Sequence, residues 1–142
     1  RDWGIQLGRR FRALKLWFVI RSFGVDGIKE KIRNHIEWAG WLANAIDGTP
    51  GFELYKPQRF GLVCFRITPG SIKKDNDKLN AVNQEFLYRL NSSGKLYLSH
   101  TKAGNIFILR MVIGQTYTSF ENVKRSWEYI RETSGEFINK IS

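Results

Sequence analysis

One cysteine, one methionine and three prolines in 142 residues leave little room for several classes of protein. Cys64 can close no internal disulfide, and with His35 and His100 as the only histidines no zinc cluster of the His/Cys type can be assembled. A disulfide framework and a structural zinc site are both excluded. Long apolar runs are missing as well: the N-terminal one, Leu16 to Ile20, falls far short of the ~20 residues a membrane-spanning helix needs, and the later ones are strand-sized. Acidic residues are scarce, 13 against 23 Lys and Arg, which leaves a formal charge of +10. No glycine-rich phosphate loop, nucleophile elbow or metal-ligand spacing is present.

What remains is 42% apolar and 14% aromatic, enough for one compact core and too rich in rings for a disordered polyelectrolyte. The sequon Asn91-Ser92-Ser93 follows nothing that resembles a secretory signal, so a reducing, cytoplasmic location is expected and a glycan is not. The chain begins at Arg1 and its only methionine is Met111, as expected of a piece of something longer.

Apolar spacing predicts four helices. In the first, over roughly 9–23, Leu7, Phe11, Leu14 and Phe18 share a face, and the all-apolar stretch 16–20 predicts deep packing at its C-terminal end, with Gly24 as its stop. In the second, Ile28, Ile32, Ile36, Ala39, Ala43 and Ile46 form a stripe widened by Trp38 and Trp41, and Gly48 and Pro50 end it. The period then changes to two over 52–55 and 60–67, where Leu62-Val63-Cys64-Phe65 predicts a strand covered on both faces. Helical spacing returns over 75–90. A hairpin is predicted from 96–100 and 105–113, joined by Thr101-Lys102-Ala103-Gly104. The last helix opens with a capping box from Thr118 to Glu121. This order predicts an α+β fold, an antiparallel sheet with helices layered on one face.

Arg110 is the main chemical anomaly, because it interrupts Ile106-Phe107-Ile108-Leu109 and Met111-Val112-Ile113, a run that otherwise reads as a central strand. A guanidinium cannot shed its charge, so it needs a carboxylate or several acceptors. It is either a fork for a substrate carboxylate, a structural ion pair, or a head that escapes at the sheet edge. The basic cluster Arg9, Arg10, Arg12 and Lys15 opposes the dipole of its helix and calls for an external anion or a polar subunit contact. Lys73 and Lys74 read as surface charge, His35 and His100 as packing residues, and Trp38, Trp41 and Trp127 as core or interface.

The segment RDWGIQLGRRFRALKLWFV from Arg1 to Val19, followed by Arg21-Ser22-Phe23-Gly24, closely resembles the pyridoxal-phosphate-dependent aromatic-L-amino-acid decarboxylases, the group II decarboxylases. The resemblance continues through Phe60-Gly61-Leu62-Val63-Cys64-Phe65-Arg66, Leu90-Asn91-Ser92-Ser93-Gly94, and Leu109-Arg110-Met111-Val112-Ile113-Gly114 with Thr118. It implies the C-terminal portion of an aspartate-aminotransferase-like fold: residues 1–24 as the closing helix of the large cofactor domain, residues 25–142 as the small C-terminal domain.

The same resemblance implies a homodimeric parent enzyme that releases carbon dioxide from tryptophan, 5-hydroxytryptophan, dopa or tyrosine, with pyridoxal 5'-phosphate as the electron sink. The lysine that anchors that cofactor belongs upstream, so the fragment alone is expected to bind none and to be inactive. Two positions carry over. Arg110 matches an arginine that contacts the substrate carboxylate in related glutamate decarboxylases, and Gly8 matches a position lining the substrate ring pocket, where glycine leaves room for a larger ring. A decarboxylase and an oxidative aldehyde synthase are not separated by these residues. The rival reading, from the charge and the aromatics, is a basic nucleic-acid-binding α/β module.

Overall fold

The computed structural model describes residues 11–72 and 75–141. Helix α1 spans Arg12–Asp47, strand β1 Phe52–Leu54, β2 Leu62–Ile67, helix α2 Asn76–Ser92, β3 Ser99–Ala103, β4 Ile106–Val112 and helix α3 Phe120–Ile141. The four strands form one antiparallel sheet in the order β1-β2-β4-β3, the α+β arrangement the sequence predicts. One glycine divides α1. Gly24 adopts φ 66°, ψ 169°, a combination essentially reserved for glycine, so the stop predicted between the first two helices is a kink at which two helical segments of α1 meet.

Only the distal half of α1 enters the core. Ala39, Leu42, Ala43 and Ile46 are buried, whereas Leu16, Trp17, Phe18, Val19, Ile20, Phe23 and Ile32 are exposed. The deep packing predicted for 16–20 is therefore not met by any described element; the sheet and the other helices gather against the other end of α1. The core lies on one sheet face, where Val63, Phe65 and Ile67 of β2 and Phe107 and Leu109 of β4 meet Phe86 and Leu90 of α2 and Val123, Trp127 and Ile130 of α3. Each such side chain contributes on the order of 1.5–3 kcal/mol by leaving water. Aromatic contacts tie the layers: Trp41 meets Phe120 edge-on at 5.1 Å, Phe52 meets Trp127 at 5.0 Å, and Phe86 lies 5.7 Å from Phe137. The second face of β2 is only half covered at Leu62 and Cys64, a correction to the expectation of two buried faces.

Beyond the pairs Leu62 to Phe65 with Val112 to Leu109, α2 supplies the hydrogen bonds that β2 and β4 no longer give each other. The Asn83 amide accepts from Ile67 N at 2.8 Å and donates to Ile67 O at 2.9 Å. One turn earlier, Asn80 accepts from Phe107 N at 2.8 Å and donates to Asn105 O at 2.6 Å. Two amides at i, i+3 thus satisfy backbone groups that would otherwise be unpaired.

Two local expectations are corrected. Pairing of Ala103 with Ile106 makes Gly104-Asn105 the hairpin turn, and Gly104 takes a positive φ of 58° there, so 101–103 belong to the strand. Leu96 to Leu98 lie outside it, because the Asn91 side chain accepts from Leu98 N at 2.8 Å and donates to Leu98 O at 2.9 Å. That use also engages the amide of the sequon. At the start of α3, the reciprocal box is Ser119 with Asn122: Asn122 N donates to Ser119 Oγ at 3.2 Å and Ser119 N to Asn122 Oδ1 at 2.9 Å. Glu121, expected to reach back, instead accepts from Lys124 Nζ at 2.8 Å.

Candidate functional site

Alternation along β4 sends Leu109 into the core and Arg110 to the opposite face. In cross-strand register Arg110 stands between Cys64 of β2 and Ser99 of β3. Ser99 could have been placed by counting outward from the Gly104-Asn105 turn; Cys64 lies on β2, which no turn joins to β4. Arg110 is half-buried, and its side chain makes no hydrogen bond or ion pair among the described residues.

The same sheet face holds a second arginine with the opposite fate. Arg66, 8% exposed, donates from Nε to Glu53 Oε2 at 2.8 Å and from Nη1 to Asn76 Oδ1 at 3.2 Å. One guanidinium is matched by the fold and the other is not. Among the described residues no buried side-chain polar atom lacks a partner, so the unpaired Arg110 nitrogens are open to solvent, and the planar fork of a guanidinium is one that suits a carboxylate.

Cys64 borders this charge. Burial pushes its thiol above the ordinary range, and the positive charge of Arg110 works against that shift. The proton therefore stays on sulfur at neutral pH, and Cys64 is expected to react with a disulfide reagent at pH 8 more slowly than free cysteine. Arg110→Ala removes the opposing charge and should slow it further; a faster reaction in that variant would contradict the pairing. Stopped-flow absorbance of the released chromophore reads both rates.

The other sequence candidates separate. His100 stacks on Phe107 at 4.8 Å and His35 packs against Trp38 at 5.6 Å, both packing roles. Trp127 is core, while Trp38 and Trp41 lie against it. Gly8, Arg9, Arg10, Lys73 and Lys74 lie outside the described residues, and Lys15 is exposed. Among the described residues no group of three or more His, Cys, Asp or Glu could hold a metal ion, and no described helix is long and apolar enough to cross a membrane.

Comparison with known proteins gives this geometry a setting. The pyridoxal-dependent decarboxylase conserved domain matches residues 1–68. The chain is 39% identical to tyrosine decarboxylase 4 of Petroselinum crispum over 99% of its own length and 28% of that protein's. It is 43% identical to phenylacetaldehyde synthase of Arabidopsis thaliana, again over 99% of this chain and 28% of the relative. Among solved structures, the Oryza sativa TDC with PLP and tryptamine superposes with a TM-score of 0.85 at 37% identity, covering 96% of this chain and 29% of that one. The chain thus spans little more than a quarter of the length of these relatives. None of these comparisons supports the nucleic-acid reading.

Pyridoxal phosphate needs an enclosed lysine amine and unsatisfied donors for its phosphate. None of the described lysines is buried, and among the described residues no buried side-chain polar atom lacks a partner. The described residues do not form that cofactor's cradle.

Proposed function

We propose that this chain, a homologue over 99% of its length of the pyridoxal-dependent decarboxylases of aromatic amino acids, is the carboxyl-terminal part of an enzyme that converts an aromatic L-amino acid into its amine and carbon dioxide. The observation that carries the reading is the contrast on one sheet face between Arg66, matched to Glu53, and Arg110, matched to nothing described. In this reading Arg110 holds the substrate carboxylate before it departs, and Gly8 lines the pocket for the aromatic ring.

The cofactor and the lysine that anchors it belong to the longer polypeptide. Residues 1–24 close its large domain and residues 25–142 form its small one; the active form is a cytoplasmic homodimer. The exposed apolar half of α1 is the surface on which the rest of that enzyme packs, so the 142-residue chain alone is inactive. Tyrosine, dopa, tryptophan and 5-hydroxytryptophan are the substrates to test, since the relatives include tyrosine decarboxylases and tryptophan decarboxylases.

The test is to supply the longer protein with pyridoxal phosphate and each of these amino acids and to measure carbon dioxide and amine together. Equal amounts of both are expected. An aldehyde in place of the amine would move the protein to the branch of the phenylacetaldehyde synthase, and release of neither from any aromatic amino acid would refute the reading.

A further inference from the structure

A cleft of about 610 Å³ opens between the first half of α3 and the segments that precede β3 and follow β4. Its base is apolar: Leu98, Ile113 and Val123 are buried there, and Met111 is half-buried. Two phenol rings border it, those of Tyr97 and Tyr129, and two exposed cations stand at its mouth, Lys95 and Arg125. Among the described residues that line it, none is Asp or Glu. Alternation along β4 puts Met111 and Ile113 on the face opposite Arg110, so the cleft lies across the sheet from the row of Cys64, Arg110 and Ser99.

The positive charge of the cleft is local. Lys95 Nζ sits 4.6 Å over the Tyr129 ring, a cation–π contact that holds the ammonium against the wall. Neither Lys95 nor Arg125 makes an ion pair among the described residues, whereas Arg89 and Lys124 nearby are matched to Glu136 and Glu121 at 2.9 and 2.8 Å. The Tyr129 phenol registers the field: a hydrogen bond with the Ser93 hydroxyl pulls its pKa below the ordinary range, and a second with Thr133 and the charges of Lys95 and Arg89 add to that, against the opposing effect of burial. An anion is thereby favoured at the mouth. The base and the two tyrosine rings favour an aromatic body, which packs on such rings edge-on or offset. The volume falls in the range of small-molecule sites, roughly 300–1,000 Å³, and far exceeds what an inorganic anion fills.

We propose that this cleft binds an aromatic monocarboxylate that carries no amino group, its carboxylate paired with Lys95 and Arg125 and its ring against Tyr97, Tyr129 and the apolar base. An amine is what the site rejects. An aromatic amino acid would bring an ammonium toward the two cations, and the amine formed from it would bring that charge alone, so both are repelled. The cleft therefore selects against the substrate and the product of the reaction proposed above, and the inference does not depend on that reaction.

Photolabelling of the longer holoenzyme with 3-(4-azidophenyl)propanoate, mapped by peptide mass spectrometry, tests it. Label is expected in the peptides that hold residues 95–98, 111–118 or 122–129. Excess 3-phenylpropanoate should suppress that label roughly tenfold, whereas 2-phenylethylamine or inorganic phosphate at the same concentration should change it less than about twofold. Reversing both charges, Lys95→Glu with Arg125→Glu, should cut the label roughly tenfold, and the conservative pair Lys95→Arg with Arg125→Lys should keep it within about threefold. Absence of label from these peptides would overturn the proposal, as would equal suppression by the amine or by phosphate, or undiminished label in the charge-reversed protein. The label is read without turnover, so a failed decarboxylation assay leaves this site standing and a failed labelling leaves the proposed reaction untouched.

Discussion

Under the proposed function, replacing Arg110 by alanine in the longer protein is expected to lower kcat/KM for an aromatic amino acid roughly 10- to 150-fold, the equivalent of the ~1.5–3 kcal/mol that a hydrogen bond to a charged group contributes. Stability should barely follow. Arg110 has no hydrogen-bonded or ionic partner among the described residues, so its removal strands no carboxylate, and the cost to folding should stay below about 1 kcal/mol, the loss of packing along the side-chain stem. Arg110→Lys keeps the charge but not the planar fork, and should recover only part of the rate. Steady-state kinetics paired with thermal unfolding separates these outcomes. An Arg110→Ala enzyme with unchanged kcat/KM would show that the guanidinium does not meet substrate.

The largest effect on stability is expected at Asn83. This side chain is fully buried and makes three hydrogen bonds, the two with Ile67 and a third, from Nδ2 to Leu79 O at 2.8 Å. Asn83→Ala leaves the Ile67 N–H and C=O unpaired in a place water does not reach, and each such group costs about 1–3 kcal/mol. A loss of about 2–4 kcal/mol is expected in denaturant unfolding. Asn83→Asp keeps the acceptor for Ile67 N but sets a carboxylate against the two carbonyls. Because burial among acceptors raises the pKa of that carboxyl in the folded state, the variant should be least stable at neutral pH and regain stability as the pH falls far enough to protonate it. Asn80→Ala, at a less buried position, should cost less. Equal stability of Asn83→Ala and the parent would mean that α2 does not supply the missing strand partners.

Much of the fold could be read from one-dimensional pattern because the pattern is local. The period-two stretch at 62–67 and the apolar spacing of Leu79, Phe86 and Leu90 give β2 and α2 directly, and Gly24 marks the break in α1 through its backbone freedom. Burial was legible only where the partner of each stripe lies among the described residues. The stripe from Ala39 to Ile46 is buried, whereas Leu16 to Ile20, more apolar still, are exposed, because periodicity reports that a face seeks cover and not which chain provides it.

The candidate site shows the same division. Arg110 is conspicuous in sequence as a charge inside an apolar strand, yet its placement between Cys64 and Ser99 depends on register. Asn80 and Asn83 look like ordinary polar helix residues until the ends of β2 and β4 are seen to need them. The capping residue was displaced by one position, from Thr118 to Ser119, since two adjacent hydroxyls satisfy the same local pattern.

Affinity for a matched pair of ligands offers the decisive measurement. An aromatic amino acid and the amine formed from it differ by one carboxylate, so calorimetric binding of each to the longer enzyme and to its Arg110→Ala variant isolates the contribution of that group. The amino acid should bind the variant roughly 10- to 150-fold more weakly, and the amine should bind both proteins within twofold. Equal weakening of both ligands, or no weakening of either, would contradict a role for Arg110 as the receptor of the substrate carboxylate.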